Sequence, residues 1–87
     1  MEITSDETRR ILRKLYNMKI IGGKHTEEKN CLKRIKNLSN EEHKLVLKEW
    51  DNCIKDGLIL KSIKTGDFHV SINPRKLKEL HELIKTI

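Results

Sequence analysis

Two groups of residues in this chain are of types that chemistry can use. The first is a set of soft ligands: His25, Cys31, His43, Cys53, His69 and His81. A structural zinc ion takes four such groups, and they normally arrive as C-x-x-C or H-x-x-x-H pairs, because two ligands on one turn reach the ion together. No pair in this set has either spacing, so no metal is expected. His43 and Cys53 are expected to line the core instead, where a thiol behaves as a small apolar group. Catalysis has no better footing. No Ser, Cys or Asp lies in a recognisable nucleophile motif, and 87 residues make one small domain, 1–87, with no cleft between domains. The chain is read as a non-enzyme without a cofactor.

The second group is basic. Gly22-Gly23-Lys24-His25-Thr26 is a glycine-rich turn leading into an expected helix, and such turns hold anions because backbone N–H groups and the helix dipole both face the ligand. It is not a Walker A loop, since Met18 stands where the first glycine should be. The turn is read first as structural; its alternative task is to hold one backbone phosphate, with Lys24 and His25 assisting. Further phosphate contacts are expected from Lys24, Lys29, Lys33, Arg34 and Lys36, and from Lys61 and Lys64. Asn40 and Lys44 have the types that reach bases, Asn for adenine and Lys for guanine, and Lys44, Lys48 and Lys55 lie on one stripe of a helix. For each of these residues the plain alternative is a solvated charge in an i,i+4 ion pair.

Charge along the chain tests the nucleic-acid reading. The net charge is +6, with an isoelectric point near 9.5, which favours a polyanionic partner. Residues 1–38 carry ten basic against five acidic side chains, and residues 58–87 six against three, whereas residues 39–57 carry three against five. The stretch best suited to enter a groove is thus the acidic one, and carboxylates near phosphate are repelled. Glu42, Glu49 and Asp56 fall seven apart on one stripe, while Glu41 and Asp51 interrupt the lysines.

These residues must be positioned by a few elements. Ser39 and Glu42 form a capping box, and His43, Val46, Leu47, Trp50, Cys53 and Ile54 then recur at helical steps until Gly57 ends the helix. Trp50 is the single Trp of the chain and marks the centre of the core. Upstream, Thr4 or Ser5 caps a first helix whose buried side is Ile11, Leu12, Leu15 and Met18, with Arg9, Arg10, Arg13 and Lys14 outside as a solvated face. Lys19-Ile20-Ile21 reads as a brief strand, and Thr26 as the cap of a shorter helix running to about Arg34. Downstream, 58–63 and 68–72 flank Lys64-Thr65-Gly66-Asp67 as a β-hairpin, with Phe68, Val70 and Ile72 facing inward. Asn73 caps a last helix with Pro74 in its first turn and Leu77, Leu80, Leu83, Ile84 and Ile87 on one side.

Two helices joined by a short turn and followed by a hairpin describe an α+β, mostly α, winged helix-turn-helix with a two-stranded wing and an added C-terminal helix. I-G-G-K-H-T at 21–26, D-G-L-I-L at 56–60 and H-V-S-I-N-P-R-K-L at 69–77 resemble a group of small, uncharacterised archaeal winged-helix proteins. The resemblance implies the same fold and nucleic-acid binding, without an established reaction or ligand.

The first functional expectation is duplex-DNA binding, as in a small transcriptional regulator. The last helix is expected either to pair two copies as a homodimer or to pack across the first helix. The alternatives are a protein-interaction module within a larger complex, favoured by the acidic central helix and by Leu45, and RNA binding, for which there are few aromatics to stack on bases. The acidic, polar amino terminus, the absence of a long apolar run and two unspaced cysteines lead to the expectation of a cytoplasmic protein with no membrane partner.

Overall fold

A computed structural model describes residues 2–85. It has the expected helix-turn-helix and hairpin, and its sheet gains a third strand. Helix α1 (Asp6–Asn17) starts at Ser5, whose Oγ accepts the Thr8 N–H at 3.4 Å, and Asp6 and Glu7 stand at the positive end of its dipole. It buries Ile11, Leu12 and Leu15. Lys19 closes it in the left-handed region at φ 58°, with its N–H donating to the Tyr16 carbonyl and the Ile20 N–H to that of Leu15. That bond pair is a Schellman closure, which glycine usually occupies. Met18, expected inside, is half exposed.

Ile20 and Ile21 do not form a strand; Ile21 makes a single parallel bridge to Ile72. The strand comes five residues later as β1 (Thr26–Glu27), paired antiparallel with β3 (Asp67–Ile72). Thr26 is therefore a strand residue and not a cap. The expected second helix is split into one turn, α2 (Glu28–Cys31), and a 3-10 helix, Lys33–Asn37. The physical reason is thin apolar content and a start taken up by sheet pairing: no residue of α2 is buried, and Ile35 alone anchors the 3-10 segment.

Helix α3 (Asn40–Lys55) follows the turn at Leu38-Ser39, with Ser39 Oγ accepting the Glu42 N–H at 3.3 Å. Gly57, at φ 80°, closes it with the Schellman bonds Gly57 N–H to Ile54 O and Leu58 N–H to Cys53 O. Val46, Trp50 and Cys53 are buried as expected. Leu47 instead is 41% exposed, and His43 is partly buried. The largest departure is Glu49, which is 5% exposed. Its carboxylate accepts the Thr4 N–H at 2.7 Å, the Thr4 hydroxyl at 3.2 Å, the Ser5 N–H at 3.3 Å and the Thr8 hydroxyl at 2.7 Å.

Strands β2 (Ile59–Lys64) and β3 form the wing, and the sheet order is β1-β3-β2. Lys64 pairs with Asp67, so the connection is only Thr65-Gly66, both at positive φ (49° and 86°), as a type I′ turn requires. Val70 and Ile72 face inward, but Phe68 is 51% exposed, because the tip of the wing extends past the helices that would cover it. On the other face, Ser71 is buried where its hydroxyl donates to the Gly22 carbonyl at 2.9 Å, and the Gly22 N–H donates to the Ile72 carbonyl.

Asn73 then accepts the Arg75 N–H and donates its amide to the Gly57 carbonyl, starting a 3-10 turn, Pro74–Lys76, before α4 (Leu77–Ile84). Leu80 and Ile84 are buried and Leu77 and Leu83 pack against the same core, with α4 lying against α1. The surplus of leucines that suggested a pairing surface is thus taken up within the chain; Ile87 lies outside the described residues. Arg9 is no solvated charge either: its guanidinium donates to the Leu83 carbonyl at 3.1 Å and to the Ile3 carbonyl, fastening α1 to the end of α4.

Two stability outcomes follow. Glu49→Ala removes a charged acceptor and leaves Thr8 and the α1 entry without a partner, so urea unfolding is expected to show a loss of about 2–4 kcal/mol. Lys19→Gly relieves a left-handed lysine and is expected to raise stability by about 0.5–1 kcal/mol in the same measurement.

Candidate nucleic-acid interface

The fold sorts the candidate residues into separate groups. The first runs along the helix-turn-helix. A groove of about 470 Å³ lies between the α2 and 3-10 segment and the wing, lined by Leu32 and Phe68 with Lys29, Lys33 and Lys36 at its edges and Glu28 and Asp67 beside them. Lys29 is exposed and already matched: its Nζ lies 3.2 Å from Glu27 Oε2 and 3.9 Å from Asp67 Oδ1. The hydrogen bond to Glu27, then the nearby charges of Asp67 and Glu27, push its pKa up. Lys33 and Lys36 have no ion pair among the described residues.

Across the turn, Asn40, Lys44 and Lys48 follow one another at one-turn steps on the exposed side of α3. Lys44 and Lys48 also have no acidic partner among the described residues. The expected stripe of Glu42, Glu49 and Asp56 is broken at its middle residue, and Asp51, expected to interrupt the lysines, is paired. Glu49 is turned into the core, and Asp51 is held by Lys55 at 2.9 Å, which in turn pushes the Lys55 pKa up.

Lys61 is committed elsewhere. Its Nζ lies 3.1 Å from Glu28 Oε1 and 4.3 Å above the centre of the Phe68 ring. The other Glu28 oxygen accepts the Trp50 indole N–H at 2.8 Å. Glu28 therefore ties the wing to the central helix, a role the sequence reading missed because the three residues lie far apart in the chain. Cross-strand pairing places Ile63 opposite Phe68, and both are largely exposed at the wing tip.

Lys24, His25 and Lys64 lie away from this groove. The Lys24 ammonium donates to the Met18 carbonyl at 3.2 Å. His25 Nδ1 is 2.7 Å from His69 Nδ1 with the rings edge to face, so one imidazole donates and the other accepts. These rings share a shallow groove of about 280 Å³ with Lys64, Ser62 and Gly23. The Gly22-Gly23 turn itself is explained structurally: Gly22 stands at φ 64°, bonded through both its N–H and its carbonyl to β3. Arg34 points to a third place, the gap between α1 and α2.

Among the described residues no group of three or more His, Cys, Asp or Glu side chains is placed to hold a metal ion, and no helix is long and apolar enough to cross a membrane. Burial is what governs both thiols. It pushes Cys31 up to about 11, with the charge of Glu28 adding, and Cys53 up to about 12, with Glu49 and Asp56 adding. A thiol pKa raised on folding contributes stability that is complete below its ordinary value of 9.0 and disappears as pH climbs through 11 and 12. Folded protein is expected to resist iodoacetamide near about pH 8 while urea-unfolded protein is alkylated at both positions, and stability is expected to fall progressively above pH 9.0. Mass spectrometry after a timed quench checks the first outcome, and urea midpoints along a pH series check the second.

Comparison of the chain with known protein families, with curated proteins and with solved structures finds no match to any of them.

Proposed function

We propose that this protein binds duplex DNA, docking the helix-turn-helix face on the phosphate backbone in the manner of a small transcriptional regulator. The observation that carries the reading is the side of the molecule on which free cations remain. Lys33, Lys36, Lys44 and Lys48 follow the path from the 3-10 segment through the turn to the exposed side of α3, while Glu49 is buried, Asp51 is paired with Lys55, and Glu41 and Glu42 stay at the first turn of α3. The winged helix-turn-helix arrangement supports the same surface. Asn40, at the first turn of α3, is the side chain suited to a base edge. Lys24, His25 and Lys64 are peripheral in this reading, and Lys61 positions the wing. A single chain is the binding unit, since α4 places its apolar side on α1.

A specific observation favours a second reading, a protein-interaction module. Ile63 is 65% and Phe68 51% exposed side by side at the wing tip, with Leu60, Leu45 and Leu47 also accessible.

Fluorescence anisotropy with a labelled duplex separates the two. With four phosphates neutralised, affinity is expected to fall by about 100-fold between roughly 50 and 200 mM salt. Lys44→Ala or Lys33→Ala is expected to weaken binding of all sequences and to reduce the salt slope by about one unit. Binding indifferent to salt and to both substitutions sinks the DNA reading, and tighter binding to duplex RNA of the same length redirects it.

A further inference from the structure

Between α1 and the α2 segment is a cavity of about 220 Å³ that the nucleic-acid reading does not use. Its floor is aliphatic: Ile11, Leu15 and Ile20 are each 3–4% exposed in the intact fold. The Cys31 thiol, kept protonated by burial, forms part of the wall, and Met18, half exposed, stands at the edge as a flexible thioether. The mouth has the opposite character. Arg10 and Lys14 reach it from successive turns of α1, and Lys33 and Arg34 from the 3-10 segment. The one acid among the lining residues is Glu7, and its carboxylate is held by Arg10 at 3.4 Å. Lys14, Lys33 and Arg34 have no acidic partner among the described residues.

We propose that this cavity is a binding site for a small monocarboxylate with an apolar body. The two halves of the site demand the two halves of the ligand. An aliphatic cavity of roughly 150 Å³ holds a benzene ring, so this one has room for a ring or branched chain with a short tail. A free phosphate or sulfate would satisfy the cations and leave the space above the aliphatic floor unfilled. A neutral hydrocarbon would fill that space and leave Lys14, Lys33 and Arg34 without a counter-charge. A carboxylate on an apolar body does both, because its charge meets the three cations while its body packs into the cavity against the floor and Met18. The enclosure is small for a macromolecular partner, whose anchor would be a single side chain. Lys33 also belongs to the proposed phosphate surface, so an occupied cavity and a bound duplex draw on one shared cation.

The test uses the full chain without nucleic acid, so its failure leaves the DNA reading untouched. Methyl-labelled Ile and Leu are followed by NMR during titration with 4-phenylbutyrate, with 4-phenylbutanol as its neutral counterpart and with inorganic phosphate. Phenylbutyrate is expected to shift the Ile11, Leu15 and Ile20 methyls saturably, at least about ten-fold more tightly than the alcohol. The surface variant Lys14→Glu/Arg34→Glu, its fold checked by the same spectrum, is expected to lose that ten-fold advantage and to bind the alcohol as before. Equal affinity for acid and alcohol in the unaltered protein overturns the proposal, as does phosphate binding as tightly as phenylbutyrate. A short peptide carrying adjacent Leu and Glu that saturates the same methyls more tightly than phenylbutyrate overturns the choice of a small molecule.

Discussion

A buried carboxylate sets the frame of this molecule. Glu49 sits in the middle of the longest helix, and four hydrogen bonds carry its two oxygens to Thr4, Ser5 and Thr8. Burying a charge is unfavourable unless it is matched in full, and here the match comes from the entry of another helix, where unpaired N–H groups and a positive dipole end need an anion. Each side therefore answers the other's need. The geometry leaves little freedom, because a carboxylate that slid by one turn along α3 would lose every donor at once. The angle at which α1 meets α3 is set by this contact as much as by the aliphatic packing around Leu12, Val46 and Cys53.

A second carboxylate does for the wing what Glu49 does for α1. Glu28 holds the Trp50 indole with one oxygen and the Lys61 ammonium with the other. The pair of contacts joins α2, α3 and β2 at one point. Since α2 is a single turn with no buried residue of its own, its place in the fold comes from this polar knot, from Ile35 and from the β1 pairing with β3. The charges that remain on the surface are the ones these two knots leave over.

Local order was legible in the sequence, and long-range pairing was not. Ser39 with Glu42 and Gly57 are signals whose physics lies within a few residues, and each marks the boundary it was expected to mark. The hairpin turn is two residues, Thr65-Gly66, where four, 64–67, were expected. Asn73 with Pro74 starts a 3-10 turn three residues ahead of the helix it was expected to cap. The second helix was misjudged because Thr26 serves equally as a cap or as a strand residue, and the choice is made by Val70 across the sheet. Phe68 obeys the alternation of its strand, yet whether an inward position is covered depends on how far the helices reach. Glu49 had the type and spacing of a surface acid, and nothing local marks Thr8 as its partner, 41 residues away. The candidate site inherits the same limits: the lysines were found, but which of them are free depends on Glu28, Asp67 and Asp51, which only the fold brings near.

The charge count on α3 then changes meaning. Five acids against three lysines over residues 39–57 argued against a DNA-facing helix. With Glu49 inside and Asp51 neutralised by Lys55, α3 presents Lys44 and Lys48 with Glu41, one turn before Lys44, as the acid left on their side. The remaining carboxylates are at the ends: Glu41 and Glu42 in the first turn, where the dipole favours them, and Asp56 at the last residue before Gly57. Acids at the leading end work against deep insertion of the α3 N-terminus between phosphates, the geometry by which a recognition helix reads bases. Cations in the middle of α3 and along the 3-10 segment instead suit contact with the phosphate rims of a groove. In the proposed mode such a surface takes its affinity from backbone charge, and discrimination between sequences would come from the shape of the duplex.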